Sequence, residues 1–378
     1  MTVVVKLGST LVVDDNGRVR RLLLRARAAE VGELVRSGEP VCVVSSGAIA
    51  LGLPRLGLTR RPSATSRLQA ASAVGQSRLQ AAWDSALRAA GVEAAQILLS
   101  APDLAERASY VNVRNAFDTL LKLGVVPVVN ENDATATDEI TFGDNDALAA
   151  QVAVLTRARL LVLLTEVDGV YATHPAGADA ELLADGAAAD GATLGRGSAL
   201  GRGGMASKIA AARLAAAAGI PSVIASGRPR EVLGPIVAGE RRGTRFAPED
   251  VDGSTAFKLW LRYAKPAVGR LVVDDGAQSA LIVHGRSLLA VGVVRCDGSF
   301  VAGDAVELEG PDGSVFAKGL TSVGAEEIRG RPRGVEVVHR DRLALYATGT
   351  GSDEGGRVIA PSEAEETSAA YFASTPDA

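Results

Sequence analysis

Histidine and cysteine are nearly absent: the 378 residues contain three histidines and two cysteines. His174, His284 and His339 are scattered and Cys42 and Cys296 stand far apart, so no metal-ligand spacing occurs and a disulfide framework is not expected. Cys42 lies in the apolar run Val41-Cys42-Val43-Val44 and reads as a core residue, in keeping with a reducing cytoplasm. No apolar run approaches the ~18 residues of a membrane span. The chain opens on the strand-like Thr2-Val3-Val4-Val5 without a basic lead-in, so no signal peptide is expected and a cytoplasmic location is. A net charge of −4 gives no reason to invoke nucleic acid or an anionic membrane as the main partner.

Lysine is scarce too: of 40 basic residues only 6 are lysine, leaving 34 arginines. Together with the abundance of Ala, Gly and Val, this is the bias of a GC-rich coding sequence. A lysine that persists against it marks a position where a compact ammonium is wanted. The first 250 residues retain only Lys6, Lys122 and Lys208, and two of these three stand in glycine-rich turns.

Over the first ~250 residues, short apolar runs alternate with helical patterns. Strands are predicted at Val3–Lys6, Val41–Ser45, Val92–Leu99, Val125–Val129, Leu160–Leu164 and Pro221–Ala225. Helices are predicted at Leu22–Ser37, Ser66–Ala90, Val111–Leu123, Ala147–Thr156 and Met205–Ala218, most of them stopped by a glycine. Strands apolar on both faces, alternating with helices, imply an α/β fold with a mostly parallel open sheet sandwiched by helices. Residues 253–265 read as a linker. Short segments with frequent glycines then predict a small β-rich domain over residues 266–348, and the Ser/Glu/Ala-rich residues 349–378 read as a disordered acidic tail.

In such a sheet, ligands bind beyond the carboxyl ends of the strands. Five polar turns follow predicted strands or precede a helix: Lys6-Leu7-Gly8-Ser9, Ser45-Ser46-Gly47-Ala48, Asn130-Glu131-Asn132-Asp133 with Gly143-Asp144-Asn145-Asp146 soon after, Thr165-Glu166-Val167-Asp168-Gly169, and Gly201-Arg202-Gly203-Gly204-Met205-Ala206-Ser207-Lys208. Each alone reads as an ordinary loop or helix cap. Together, on one sheet edge, they read as one active site. Glycine lets backbone N–H groups approach an anion, helix N-termini favour it, and Lys6 and Lys208 would neutralise a transferring phosphoryl group. A carboxylate acceptor is already ionised at neutral pH and needs no general base, which accounts for the lack of histidine in these turns. The dipeptide Gly-Lys never occurs, which excludes a Walker-type phosphate loop. His339-Arg340-Asp341 has no Asp-Phe-Gly companion and reads as a coincidence with the protein-kinase triplet.

The segments VVVKLGST (3–10), VVSSGAIALG (43–52), QAASAVGQSRL (69–79), VVPVVNENDATATDE (125–139), FGDNDALAA (142–150), LLTEVDGVY (163–171) and GRGGMASK (201–208) resemble the glutamate 5-kinases of the amino-acid kinase family. VDDGAQSALIVHGRSLL (273–289) and EVVHRDRLAL (336–345) are similar to the PUA domain carried by many of them. The resemblance covers about residues 1–348. It implies an amino-acid kinase domain over 1–252 and phosphorylation of the side-chain carboxylate of L-glutamate by ATP with Mg²⁺, the first step of proline synthesis. It also implies feedback inhibition by proline and a homo-oligomer.

Carried over position by position, the resemblance implies ATP contacts from Lys6, Gly8, Thr165, Glu166 and the Arg202–Lys208 loop (Arg202, Gly203, Gly204, Met205, Ala206, Ser207, Lys208). It implies glutamate contacts from Ser46, Asp133 and Asn145. Lys208 would stabilise the transferring group and Asp146 would orient both lysines, while no protein metal ligand is implied. Glu166 stands where the family usually has Asp, and Arg202 where it often has Thr or Ser. Asp133 is expected to accept from the substrate ammonium, with Asn145 and backbone N–H groups holding the carboxylates. Two other classes stand beside this one. One is an RNA-binding protein acting through the PUA-like domain, where Arg329-Gly330-Arg331-Pro332-Arg333 is a small basic cluster, although acids nearly balance bases there. The other is a kinase for another small carboxylate or carbamate.

Overall fold

The computed structural model describes residues 1–105, 107–135, 145–173, 180–191, 204–249, 256–263, 265, 267–330 and 332–346. Residues 1–346 form one unit. The expected tail, like Asp144, Arg202, Gly203 and Arg331, lies outside the described residues.

The valine- and leucine-rich runs form the strands of the first sheet: β1 (Val3–Leu7), β2 (Val41–Ser45), β3 (Ala94–Leu99), β4 (Val126–Glu131), β5 (Leu160–Thr165), β6 (Ser222–Ser226) and β7 (Thr244–Phe246). Among the described residues they lie in the order β3-β4-β2-β1-β5-β6-β7. The first six pair in parallel and β7 closes the edge antiparallel to β6, so the sheet is mostly parallel, as the alternating pattern predicts. The helices on its faces are α1 (Ser9–Val12), α2 (Arg21–Arg36), α3 (Ala48–Gly52), α4 (Thr65–Ala89), α5 (Ala101–Ala105), α6 (Arg107–Lys122), α7 (Asn145–Leu155), α8 (Met205–Ala217) and α9 (Leu233–Val237).

Strand alternation divides the interior in two. Val4, Cys42, Val44, Val129, Leu161 and Leu163 face a core shared with α7 and α8. Val3, Val5, Leu7, Val41, Val43 and Val162 face a second core with α2 and α4. Lys6 is in phase with Val4, so β1 delivers its side chain to the α7/α8 face. The α3–α4 crossing is close because side chains are missing: a Cβ on Gly52 would lie 1.8 Å from the Ala71 carbonyl oxygen, and one on Gly75 would lie 1.8 Å from that of Ala48.

Two local features differ from the sequence reading. The helix expected at 111–123 begins at Arg107 and is preceded by α5. At the start of α5 the Ser100 N–H and hydroxyl both donate to the Asp103 carboxylate, at 2.7 and 2.6 Å. The segment read as a linker carries a helix, α10 (Ala256–Tyr263). Leu261 is fully buried and Phe257 packs beside it, so burial of these two apolar side chains overrides the loop-like composition around them.

The remaining elements are β8 (Ala267–Val273), α11 (Asp275–Ile282), β9 (Leu288–Leu289), β10 (Val293–Gly298), β11 (Ala305–Glu309), β12 (Val315–Thr321), α12 (Ala325–Arg329) and β13 (Glu336–Leu345). Their strands form a sheet in the order β10-β8-β11-β12-β13-β9 around Leu271, Val273, Leu308 and Val337. Pairing is antiparallel except for β11 with β8. The core under α10 continues into this sheet through Ala305, Leu320 and Ala344. From β12, the buried Lys318 brings its ammonium to the carbonyls of Arg262 and Lys265, both at 3.1 Å. No described helix is long and apolar enough to cross a membrane.

Candidate active site

Parallel pairing sets the carboxyl ends of β1, β2, β4, β5 and β6 on one edge. β1 is the topological switch point: the chain lays β2, β4 and β3 on one side of it and β5, β6 and β7 on the other. A crevice opens at such a point, and the polar turns flank it.

At the centre stands Asp146, fully buried in the first turn of α7. One carboxylate oxygen pairs with the Lys6 ammonium and the other with the Lys208 ammonium, the latter at 3.1 Å. Both lysines are buried, Lys6 arriving from the sheet and Lys208 from the first turn of α8. Burial pushes the Asp146 carboxyl up, but the two ammonium groups outweigh it and hold the group down at about 2. Asp146 is thus ionised at any working pH. The cluster sets two ammonium groups around one carboxylate in a buried setting. Ser207 completes the corner, its hydroxyl 3.0 Å from both Asp146 Oδ2 and the Gly204 carbonyl. Gly204 caps α8 without a side chain, so the first N–H groups of that helix are left for an anion. Gly8, at the end of β1, has an ordinary negative φ, and a Cβ there would meet only the Leu164 carbonyl oxygen, at 3.7 Å. The protein's own packing does not require glycine at this position, whereas close approach of a ligand would.

On the β2/β4 side, Ser46 follows β2 and its N–H donates to the Leu7 carbonyl at 3.2 Å. Gly47 next to it has φ +116°, and a Cβ there would meet Val13 at 2.9 Å, so this turn needs glycine. Asp133 accepts from the Ser72 hydroxyl at 2.5 Å. Asn145 donates through Nδ2 to the Ser45 carbonyl at 2.9 Å and to Asn130 Oδ1 at 2.5 Å. Both amide hydrogens of Asn145 are thus engaged within the protein. Asn130 in turn donates to Gln76 Oε1 at 2.6 Å. Ser72, Gln76 and Trp83 all lie on α4, and Trp83 Nε1 donates to Ser45 Oγ at 2.8 Å. These α4 residues escape sequence reading as site partners because polar positions on a long helix look solvated. The segment 69–79 contains Ser72 and Gln76, but the sequence does not say what they touch.

On the β5/β6 side, Thr165 ends β5 and its carbonyl accepts from the Gly227 N–H at 2.8 Å. Glu166 pairs with Arg228 at 2.5 Å, a half-exposed contact. Arg228 is a further site-edge residue that no motif marked. Met205, Ala206 and Ser207 form the first turn of α8. Arg202 and Gly203, expected beside them, lie outside the described residues.

Of the motifs in the second sheet, His339-Arg340-Asp341 lies on β13. Arg329 of the basic cluster is engaged with Glu326 and the Gly298 carbonyl.

Residues 1–226 match the amino acid kinase family and residues 269–341 match the PUA domain. A glutamate 5-kinase from Thioalkalivibrio sulfidiphilus is 44% identical over 367 residues, covering 90% of this chain and 96% of its own. A glutamate 5-kinase from Pseudomonas syringae pv. tomato is 45% identical over 361 residues, covering 90% of this chain and 97% of its own. Among solved structures, an isopentenyl phosphate kinase aligns at a TM-score of 0.49 and 23% identity, over 65% of this chain and 100% of its own.

Proposed function

Since the chain belongs to the amino acid kinase family, and within it to the glutamate 5-kinases, we propose that the crevice divides into a glutamate half at β2/β4 and a nucleotide half at β5/β6, with Lys6, Asp146 and Lys208 between them. The reaction moves the γ-phosphoryl group of ATP to the side-chain carboxylate of L-glutamate, giving ADP and L-glutamyl 5-phosphate at the first step of proline synthesis. The observation that carries the division is the buried Lys6–Asp146–Lys208 cluster at the switch point.

Phosphoryl transfer requires little covalent work from a protein, so catalysis reduces to positioning and charge. The acceptor carboxylate is already a nucleophile at neutral pH. Lys208, at the N-terminus of α8, stabilises the negative charge on the transferring group, and Lys6 clamps the phosphates from the sheet side. Asp146 is held ionised and engages both lysines, so it organises them and does not act as a base. Gly8, Thr165, Glu166 and the α8 N-terminal turn from Gly204 to Ser207, preceded by Arg202 and Gly203, receive the nucleotide. Ser46, Asp133 and Asn145 receive glutamate. Mg²⁺ enters as part of the nucleotide substrate. Among the described residues no group of three carboxylate, histidine or cysteine side chains is arranged to hold a metal. Inhibition by proline, a homo-oligomeric state and a cytoplasmic location belong to the same reading.

Hydroxamate formation from glutamate with ATP and Mg²⁺, with and without proline, tests acyl-phosphate chemistry and regulation together. Lys208→Ala is expected to lower kcat by about 10²-fold or more, the scale of losing one charge-stabilising group, with a smaller change in KM. A kcat near that of the wild type would sink the assignment of Lys208.

A further inference from the structure

The polar residues of α4 have no part in the division of labour above, and we propose that Gln76 is a positioning residue that, with the Ser45 carbonyl, fixes the Asn145 amide so that it presents Oδ1 to the α-ammonium of glutamate. The inference rests on the reading of the β2/β4 side as the glutamate half.

The starting point is a group of fixed sign. A main-chain carbonyl only accepts hydrogen bonds. The Ser45 carbonyl lies 2.9 Å from the Asn145 amide, so the atom facing it must be Nδ2. Ser45 is fully buried, with its hydroxyl taken up by Trp83, and therefore offers a rigid reference. The second Nδ2 hydrogen goes to Asn130 Oδ1, and Asn130 then turns its own Nδ2 to Gln76 Oε1. Every link runs in one direction. Reversing any one of them would set two carbonyl oxygens or two NH₂ groups against each other.

An asparagine side chain has two hydrogens, and both are in use. The polar atom Asn145 has left to offer is an oxygen. An oxygen repels a carboxylate and attracts an ammonium, so Asn145 recognises the one cationic group on the substrate. Asp133, on the same half and steadied by Ser72, supplies a second acceptor of the same sign. Two acceptors, each oriented by a residue of α4, make this half a reader of the α-ammonium. The substrate's carboxylates must find their donors elsewhere.

Glutarate, which is glutamate without the ammonium, provides the probe. The full-length enzyme, Asn145→Ala and Gln76→Met are compared for kcat, KM for ATP, KM for glutamate and the inhibition constant of glutarate against glutamate. Asn145→Ala is expected to raise the glutamate KM about 10- to 100-fold, the effect of one hydrogen bond to a charged group, and to leave the glutarate constant unchanged. Gln76→Met is expected to raise the glutamate KM about 2- to 10-fold with kcat and the ATP KM unchanged, a split that general loss of structure would not produce. If Asn145→Ala weakens glutarate and glutamate in step, Asn145 holds a carboxylate: the glutamate half stands and the inference falls. If Asn145→Ala leaves the glutamate KM unchanged, the glutamate half itself is wrong. An unchanged glutamate KM in Gln76→Met removes Gln76 from any positioning role.

Discussion

Asp146→Asn removes one charge and keeps the shape of the side chain. In the wild type the carboxyl sits at about 2, below its ordinary 3.8, so the fold favours its ionised form by roughly 2 kcal/mol. That figure is a remainder. Two ammonium groups in direct contact with the carboxylate contribute about 5 kcal/mol each at an effective dielectric constant near 20, and burial of the carboxylate cancels most of the total. Asparagine loses the attraction and leaves Lys6 and Lys208 in the interior with no carboxylate between them. Removing one partner of a buried ion pair costs about 3–5 kcal/mol. For a domain of about 150–250 residues that corresponds to a melting point about 6–20 °C lower. The assay is thermal unfolding at neutral pH with and without a non-hydrolysable ATP analogue, alongside kcat. The analogue should stabilise the variant more than the wild type, because its phosphates supply the missing negative charge, while kcat falls by about 10²-fold or more. A variant within about 0.5 kcal/mol of the wild type with near-normal kcat would refute the organising role of Asp146, since surface substitutions alone stay in that range.

Three further outcomes are expected. A folded-state carboxyl depressed to about 2 contributes stability that is complete above pH about 4 and is lost as pH falls toward 2, so the stability gap between wild type and Asp146→Asn should close over that window, as read by acid unfolding curves. Gly75→Ala adds a helix-favouring residue worth about 1 kcal/mol but drives a Cβ to 1.8 Å from the Ala48 carbonyl oxygen, so unfolding curves should show a net loss of about 1–3 kcal/mol, with the glutamate KM rising and the ATP KM steady. Lys318→Met keeps the stem and removes the ammonium from the Arg262 and Lys265 carbonyls; hydrogen exchange of α10 amides should quicken by about 10-fold or more while β1 amides keep their protection.

The parallel sheet was legible because its strands are apolar on both faces and each is followed by a glycine-stopped helix or a polar turn. The meeting of Lys6, Asp146 and Lys208 was legible for a related reason: each lies at the carboxyl end of a strand or in the first turn of a helix, and parallel pairing carries those positions to one edge. The α4 partners were not. Ser72 and Gln76 have the spacing and polarity of an exposed helix face, and only the missing side chains at Gly52 and Gly75, which let α3 and α4 touch, bring them to the loops they brace. The same limit hid Arg27 and Glu30. They look like a surface pair three residues apart on α2, yet both are buried, holding the chain after β6 through the carbonyls of Pro229 and Arg230 and the N–H groups of Val232 and Leu233. Helix α10 was missed because eight residues carry too little periodicity to stand out, and its burial is decided by two distant parts of the chain.

That helix has a consequence for anyone who would cut the protein in two. Leu261 packs in a core whose walls come from α7 and α8 on one side and from Ala305, Leu320 and Ala344 on the other. A fragment ending after α10 would leave that apolar wall open to water. A fragment beginning at β8 would leave the buried Lys318 ammonium without the two α10-side carbonyls that accept from it. The seam visible between the two family matches in the sequence is therefore not a seam in the folded molecule, and grafting a different β domain onto this kinase would require rebuilding both sides of α10.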